Sequence, residues 1–204
     1  MILIVGSEGA QGKRYQSILK YLGHRFCCLD KTVSPPPNTV LKEITGIIIA
    51  TPTDTHLNLV RFYMSLKKPF LVEKPLSKDI DALSCLLKDG LSTNLKLSMV
   101  AQYRHLLTQF TIGNSHYDYF RHGNDGLAWD CLQIVGFARG KVELKEESPI
   151  WDCTINGEVL NIRDMDRAYV IEVEQWLHNK NQMEPGFVLE MHQKVREYQE
   201  CGRL

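Results

Sequence analysis

The first hundred residues alternate short apolar segments with segments of helical periodicity, and this alternation limits the fold more than any other feature. The apolar segments are strand-length and fall at residues 2–5, 25–29, 46–50, 70–72 and 95–100. Helical patterns between them cover residues 11–22, 55–66 and 78–88. Such alternation is typical of βαβ units. The sequence therefore predicts an α/β fold with a parallel sheet.

Two details of this pattern give local predictions. Residues 31–45 contain three consecutive prolines at positions 35–37, which cannot continue an α-helix, so we expect a short, largely nonhelical connection there. Ser77 and Gly90 flank the third helical pattern. We predict that Ser77 caps its N-terminus and that Gly90 closes it.

The pattern changes after residue 100. Predicted elements are a helix at 102–110, a loop at 113–126, a helix at 127–135, a strand at 141–145, a hairpin at 153–160 and amphipathic helices at 167–177 and 185–198. The hairpin turns at Asn156-Gly157, a pair favoured in type I′ turns. An antiparallel element is thus expected after the parallel one. We predict a Rossmann-type domain at residues 1–101 and a small α+β domain at residues 102–204.

Composition excludes several function classes. The chain has 204 residues, with 24 Lys plus Arg against 24 Asp plus Glu, so no basic surface favours nucleic acid or an anionic membrane. Its longest apolar runs are far shorter than the roughly 18 residues of a membrane span. Residues 1–5 lead directly into a glycine-rich turn without a basic segment before them, which predicts a cytoplasmic protein.

The six cysteines form no C-x-x-C pair, and several lie within apolar segments. This spacing favours reduced core thiols over a disulfide framework. We predict no metal site.

Residues 6–12, Gly-Ser-Glu-Gly-Ala-Gln-Gly, follow the first strand and open the first helix. A dinucleotide pyrophosphate binds at such a place, on exposed backbone N–H groups and the helix N-terminus. The spacing is G-x-x-G-x-x-G rather than G-x-G-x-x-G. A plain tight turn between strand and helix would give the same pattern.

Asp30 ends the second predicted strand, eighteen residues after Gly12. An acid at about this spacing hydrogen-bonds the ribose hydroxyls of NAD. Lys31 follows it, and a cation there could instead accommodate the 2′-phosphate of NADP. A solvated strand end is the alternative for both residues.

Two further motifs are more specific. Residues 47–56 read Ile-Ile-Ile-Ala-Thr-Pro-Thr-Asp-Thr-His, and residues 68–75 read Lys-Pro-Phe-Leu-Val-Glu-Lys-Pro. A strand followed by Thr-Pro, a His that opens a helix, and a later strand ending in Glu-Lys-Pro resemble the glucose-fructose oxidoreductase/inositol dehydrogenase/rhizopine catabolism (Gfo/Idh/MocA) family. The Gln-Tyr-Arg segment at residues 102–104 also resembles the family's segment after the fifth strand. The resemblance covers residues 1 to about 105.

The resemblance implies an oxidoreductase that moves a hydride between NAD, or NADP, and a sugar, sugar nucleotide or polyol. It identifies Lys74 with the family's catalytic or substrate-orienting lysine, and the Lys74-Pro75 bond is expected to be cis. His56 could orient the loop before it, or it could be a capping or packing residue. The predicted cofactor-binding residues are Gly6, Gly9, Gln11, Gly12, Asp30, Thr51, Pro52, His56, Glu73 and Lys74.

The second domain departs from the family pattern. Family members carry a helix resembling G-x-x-x-D-x-G-x-H-x-x-D, and here Asp130 matches its first acid while Ile134 stands at the histidine position. Asp130 is therefore the second predicted catalytic residue. Only about a hundred residues remain for this domain, so a sheet of three or four strands is expected, whose face could support a homodimer. The loss of the histidine favours an alternative, a noncatalytic dinucleotide-binding sensor or partner subunit.

Overall fold

The computed structural model describes residues 1–31, 38–102, 104–107, 117–120, 129, 132–133, 142–145, 152–155, 158–159, 165–180 and 183–201. The chain divides into two compact units. The first contains Met1–Val100 and Val173–Met183, and the second contains Ala101–Glu172 and Glu184–Leu204.

The first unit is built on a five-stranded parallel sheet, as predicted. Its strands are β1 (Ile2–Val5), β2 (Phe26–Leu29), β3 (Gly46–Ile49), β4 (Phe70–Val72) and β5 (Leu97–Met99). Their order is β2-β1-β3-β4-β5, and all four pairings are parallel. Every residue of β1, β3 and β4 is buried. Continuous apolar sequence in these strands is therefore explained by burial of both sheet faces.

Four helices connect these strands: α1 (Ala10–Tyr21), α2 (Asn38–Lys42), α3 (His56–Tyr63) and α4 (Ile80–Thr93). Short 3₁₀ segments at Thr53–Thr55 and Met64–Leu66 flank α3. The expectation of a largely nonhelical connection before β3 was wrong for residues 38–42. One helical turn forms there because the prolines precede it rather than interrupt it.

The predicted ends of α4 were also wrong. Asp79, not Ser77, is the N-cap, and its carboxylate accepts a hydrogen bond of 2.9 Å from the Ala82 N–H. Ser77 Oγ instead accepts from the Asp79 N–H. Gly90 lies within the helix, which ends at Asn94 in the left-handed conformation (φ 54°). Asparagine tolerates this conformation better than most residues, so the glycine was not needed as a stop signal.

The second unit contains a mixed four-stranded sheet with the order β7-β6-β8-β9. Its strands are β6 (Tyr117–Phe120), β7 (Val142–Lys145), β8 (Asp152–Ile155) and β9 (Glu158–Val159). The two strands of the predicted hairpin are confirmed, since β8 and β9 are antiparallel and Ile155 pairs with Glu158; Asn156 and Gly157 lie outside the described residues. The loop predicted at 113–126 was wrong, because β6 lies within it. The expected antiparallel element is confirmed, since β8 pairs antiparallel with both β6 and β9, and it is extended by a parallel pairing of β6 with β7.

In the described part of the chain after β5, three helices have bounds: α5 (Arg104–Leu107), α6 (Met165–Leu177) and α7 (Pro185–Cys201). Residues 129 and 132–133 are also helical. The first half of α6 belongs to the second unit and its last five residues to the first unit.

Cysteine placement corrects the prediction of core thiols in one case. Cys27 and Cys28 are half-buried, whereas Cys85 is exposed on α4. Within the described residues, no helix has the length and apolarity to cross a membrane.

Candidate functional site

The predicted site residues of the first unit follow the carboxyl ends of neighbouring strands. The glycine-rich turn follows β1, Asp30 follows β2, Thr51 follows β3 and Lys74 follows β4. Because the strands are parallel and adjacent, these four segments lie at one edge of the sheet. This edge is where open α/β sheets bind their ligands.

The turn after β1 needs glycine at two positions. Gly6 has φ +86°, and a Cβ there would lie 2.6 Å from the Ala50 carbonyl oxygen. A Cβ on Gly12 would overlap the Gly6 carbonyl oxygen and come within 2.7 Å of Ser7 Cα. A Cβ on Gly9 would make only ordinary contacts, the nearest at 3.6 Å. The backbone therefore packs closely at the first and third glycines, and the second glycine is less restricted.

Side chains of α1 hold this turn in place. Gln16 Nε2 donates to the Ser7 carbonyl oxygen at 2.8 Å, and Arg14 donates to Gln11 Oε1 at 2.8 Å. Ser7 is fully buried, and its hydroxyl has no oxygen or nitrogen partner in the described part of the chain. Gly9, the N-cap of α1, has no side chain with which to cap the helix. The N-cap residue therefore offers no side-chain acceptor to the first N–H groups of α1.

Asp30 lies against the same turn. Its Oδ2 accepts from the Glu8 N–H at 3.0 Å, and its Oδ1 accepts from the Lys31 N–H at 2.7 Å. Each carboxylate oxygen has a second acceptor site. The carboxylate is therefore fixed beside the glycine turn and can still accept hydrogen bonds from a ligand.

The turn after β3 is held by its own hydroxyl groups. Thr55 Oγ1 lies 2.7 Å from both the Pro52 carbonyl oxygen and Thr51 Oγ1. A carbonyl only accepts, so the Thr55 hydroxyl donates to Pro52 and accepts from Thr51. This arrangement fixes the Thr51-Pro52 turn at the edge of the sheet.

His56, the first residue of α3, is fully buried. Its Nδ1 lies 2.9 Å from the Pro75 carbonyl oxygen, and its Nε2 lies 2.8 Å from the Thr51 carbonyl oxygen. One imidazole ring therefore contacts the turn after β3 and the turn after β4.

Glu73, the residue after β4, is also buried. Its Oε1 accepts from the Tyr15 hydroxyl of α1 at 2.6 Å, and its Oε2 accepts from the Lys74 N–H at 3.2 Å. Lys74 is partly exposed beside it, and the Lys74-Pro75 bond is cis, as predicted.

Burial raises the pKa of Glu73 above its ordinary value of 4.5, and the Tyr15 hydrogen bond and the positive charge of Lys74 oppose this shift only in part. Sequence reasoning did not identify Tyr15 as a partner, since 58 residues separate the two. The available signal was a tyrosine on the apolar side of α1, whose hydroxyl needs a partner when buried.

In the second unit, several sequence predictions lie outside the described residues. These are Asp130, Ile134 and Tyr103. The described part instead contains a buried carboxylate, Glu172, which accepts from the Ala101 N–H at 3.0 Å and lies 2.7 Å from His105 Nε2. Arg104 is ion-paired with it at 3.2 Å. An acid within the apolar face of α6 was the sequence signal for this network.

A cavity of about 310 Å³ lies at the opposite edge of the parallel sheet. It is lined by residues including Arg25, Thr45, Gly46, Pro69 and Trp176. None of the predicted site residues lines it. No group of three or more potential metal ligands occurs among the described residues.

The carboxyl edge fits a dinucleotide on its own geometry. Gly6 and Gly12 let the turn pack directly on Ala50 and Ser7, and the exposed Gly9 carries no side chain that would cover the start of α1. N–H groups at a helix N-terminus favour a phosphate, and the Asp30 carboxylate beside the turn has further acceptor sites for hydroxyl donors.

No family model matches the sequence, and no curated protein matches it significantly. Solved structures match closely in fold. The WlbA (WbpB) dehydrogenase from Thermus thermophilus, in a complex with NAD and UDP-GlcNAcA, is 14% identical, with 95% of this chain and 92% of that chain covered and a TM-score of 0.73.

Two others are a Gfo/Idh/MocA family oxidoreductase from Vibrio cholerae and a myo-inositol dehydrogenase from Corynebacterium glutamicum. The first is 13% identical, with 96% of this chain and 94% of that chain covered and a TM-score of 0.73. The second is 12% identical, with 98% and 95% covered and a TM-score of 0.72. The fold of this chain is therefore the fold of the Gfo/Idh/MocA dehydrogenases.

Proposed function

We propose that the protein is a NAD(H)-dependent oxidoreductase that moves a hydride between nicotinamide and a secondary alcohol or ketone. The proposal rests on one observation. A glycine turn with no space for side chains, an acid beside it and a lysine two strands away all lie at the carboxyl edge of one parallel sheet. Its substrate class is a sugar, sugar nucleotide or polyol, as in the WlbA complex with UDP-GlcNAcA.

Cofactor binding is assigned to the turns that follow β1, β2 and β3. The backbone of residues 6–12 and the N-terminus of α1 bind the pyrophosphate. Asp30 accepts from the ribose hydroxyls and repels a 2′-phosphate, which favours NAD over NADP. The Thr51-Pro52 turn borders the site at the end of β3.

When bound, the nicotinamide supplies the hydride acceptor or donor. Lys74 polarises the reacting oxygen through its ammonium group, which stabilises negative charge on that oxygen in the transition state. Oxidation of an alcohol also releases a proton. Asp130 is the proposed group for that proton, because Ile134 at the family's histidine position cannot accept one.

The same absence of a histidine supports a second candidate function. A dinucleotide-binding protein without turnover, acting as a sensor or partner subunit, would need the glycine turn and Asp30 but no proton acceptor. The two candidates differ in turnover and agree on cofactor binding.

The cofactor assignment is tested by titrating NADH and NADPH separately and following nicotinamide fluorescence. We expect tighter binding of NADH, and about a three- to tenfold smaller preference in Asp30→Ala, since ribose hydrogen bonds of about 1 kcal/mol each are lost. Asp54→Ala, an exposed acid on the next turn, is the control and keeps the preference. A wild-type preference for NADPH would remove Asp30 from the site and favour Lys31.

Turnover is tested by following nicotinamide absorbance with a panel of sugar nucleotides and polyols at several pH values. We expect slow activity on at least one of them, reduced further in Asp130→Asn. Firm NADH binding with no absorbance change on any member of the panel would support the sensor instead.

A further inference from the structure

His56 makes contacts that neither helix capping nor core packing explains. A capping side chain accepts from the N–H groups of its own helix. Here both ring nitrogens face carbonyl oxygens, one five residues earlier and one nineteen residues later. Neither partner belongs to α3. The ring is therefore placed between two turns rather than at the end of its own helix.

The chemistry of the two partners makes the ring difficult to replace. Carbonyl oxygens only accept hydrogen bonds. A neutral imidazole donates to one of them, and the doubly protonated ring donates to both. No other side chain of similar size places two ring nitrogens on opposite sides of one rigid ring, and an unpaired carbonyl in a buried site is costly.

The two bridged turns carry different parts of the proposed site. Thr51 follows Ala50, whose carbonyl oxygen lies close to Gly6. Gly6 belongs to the glycine-rich turn (residues 6–12) that is proposed to bind the cofactor. Pro75 follows Lys74, the residue assigned to the substrate oxygen. A second buried link is the hydrogen bond from the Tyr15 hydroxyl to Glu73. It joins α1, which follows the glycine-rich turn, to the carboxyl end of β4.

We propose that His56 is a positioning residue that holds the Thr51-Pro52 turn and the Lys74-Pro75 turn at a fixed separation. We call this arrangement the His56 bridge, which consists of His56 and the carbonyl groups of Thr51 and Pro75. It acts through the backbone, with both ring nitrogens on carbonyl groups, rather than by the direct cofactor contact that the sequence predicted for His56. The proposal rests on the function assigned above, because it concerns how the Thr51-Pro52 turn, which borders the cofactor, is joined to the turn that carries Lys74.

The test combines hydrogen–deuterium exchange of the ligand-free protein with NADH titration. In His56→Ala, we expect faster exchange in peptides covering residues 51–56 and 73–77, and about a tenfold or greater rise in the Kd of NADH. Added imidazole fills the vacated space and can donate to the same carbonyls. It should slow exchange in both peptides and restore NADH affinity together.

His192→Ala is the matched control. His192 is also fully buried, and its Nδ1 donates to the Val188 carbonyl oxygen of its own helix at 2.7 Å. This variant should lose stability, but its exchange at residues 51–56 and 73–77 should stay unchanged and imidazole should have no effect on NADH binding.

Unchanged exchange in both turns of His56→Ala would overturn the bridge. So would a result in which imidazole slows exchange in both peptides but does not restore NADH affinity. If His56→Ala does not fold, His56→Gln provides the test, because both of its N–H donors are on one amide nitrogen, which cannot lie against two carbonyls on opposite sides of the site. Wild-type exchange and wild-type NADH affinity in His56→Gln would also overturn it. If the wild-type protein does not bind NADH, the proposed function fails, and the exchange measurements still decide whether the bridge exists.

Discussion

The two edges of the parallel sheet are built from the same strands and have opposite characters. At the carboxyl edge, polar side chains and bare backbone surround a turn in which Gly6 and Gly12 have no space for a Cβ. At the amino edge, the Trp176 indole of α6 lies on Gly46, where a Cβ would come within 2.7 Å of the ring. Both edges require glycine. At the carboxyl edge it lets two backbone segments pack together, and at the amino edge it lets the Trp176 ring pack on the backbone.

This difference separates function from stability within one unit. Strand ends that leave carbonyl groups and helix N-termini facing solvent can bind a ligand. Strand ends covered by a buried aromatic residue contribute apolar burial instead. Substitutions at the carboxyl edge should therefore affect binding or turnover, in some cases together with stability, and substitutions at the amino edge should affect stability alone.

The largest effect is expected for Gly12→Ala, which tests whether close backbone packing is essential at the carboxyl edge. The added Cβ would overlap the Gly6 carbonyl oxygen, so the turn and α1 must separate. We expect a loss of about 3 kcal/mol in the free energy of unfolding and loss of NADH binding by the folded fraction, measured by urea denaturation and fluorescence titration. Gly9→Ala is the control and should lose less than about 1 kcal/mol. Equal effects in the two variants would contradict the packing argument.

Lys74→Met tests whether the carboxyl edge contains a group needed for chemistry but not for folding. We expect kcat to fall about a hundredfold, equivalent to about 2.7 kcal/mol, because the charge that stabilises the reacting oxygen is removed. The thermal midpoint and the Kd of NADH should change little. Lys88→Met, which removes an exposed lysine of α4, should keep wild-type kcat. A comparable loss of thermal stability in Lys74→Met would instead identify a structural lysine.

Gly46→Ala tests the opposite edge. The added Cβ displaces the Trp176 ring, and we expect the free energy of unfolding to fall by about 2 kcal/mol while the Kd of NADH stays at its wild-type value. Gly186→Ala is the control, since nothing lies within 4 Å of its Cβ position on α7. It should be neutral or stabilise by up to about 1 kcal/mol. Weaker NADH binding in Gly46→Ala would show that the two edges are not independent.

Glu73→Gln gives the smallest expected effect and concerns pH. Burial raises the pKa of Glu73 in the folded protein above 4.5, so the folded state binds this proton more tightly than the unfolded state. Its contribution to stability is fully present below pH 4.5 and is lost as pH rises through the folded-state pKa. Each unit of pKa difference is worth about 1.4 kcal/mol.

Urea denaturation at a series of pH values from below 4.5 upward should show that this pH-dependent contribution to the free energy of unfolding is absent in Glu73→Gln. Glu197→Gln, at an exposed position of α7, should keep the wild-type slope. An unchanged slope in Glu73→Gln would mean that the folded protein does not raise this pKa.

Strands and long helices of the first unit were predictable because their signals are local. An apolar run of four residues between turns, such as residues 46–49, forms a buried parallel strand wherever it meets neighbours of the same kind. The antiparallel pairing of β8 with β9 was predictable for the same reason, because the Asn-Gly pair between them in the sequence favours a tight hairpin.

The errors occurred where competing local signals or distant contacts decided the outcome. Both Ser77 and Asp79 can cap a helix, and the choice between them depends on how the chain leaves β4. The strand Tyr117–Phe120 lies in a polar segment and forms only by pairing with β7 and β8. Its Tyr-Asp-Tyr-Phe sequence has the alternation of a strand, but four residues between polar neighbours give too short a signal without the pairing.

The sequence by itself determined the parallel sheet, the glycine turn and the positions of Asp30, Thr51 and Lys74 at strand ends, because strand direction and turn chemistry are local properties. Only the tertiary structure decided what holds these residues together. The Tyr15 hydrogen bond to Glu73 and the His56 contacts with Thr51 and Pro75 join residues far apart in the chain. Such contacts exist only once packing has excluded water and left each buried polar group dependent on a protein partner.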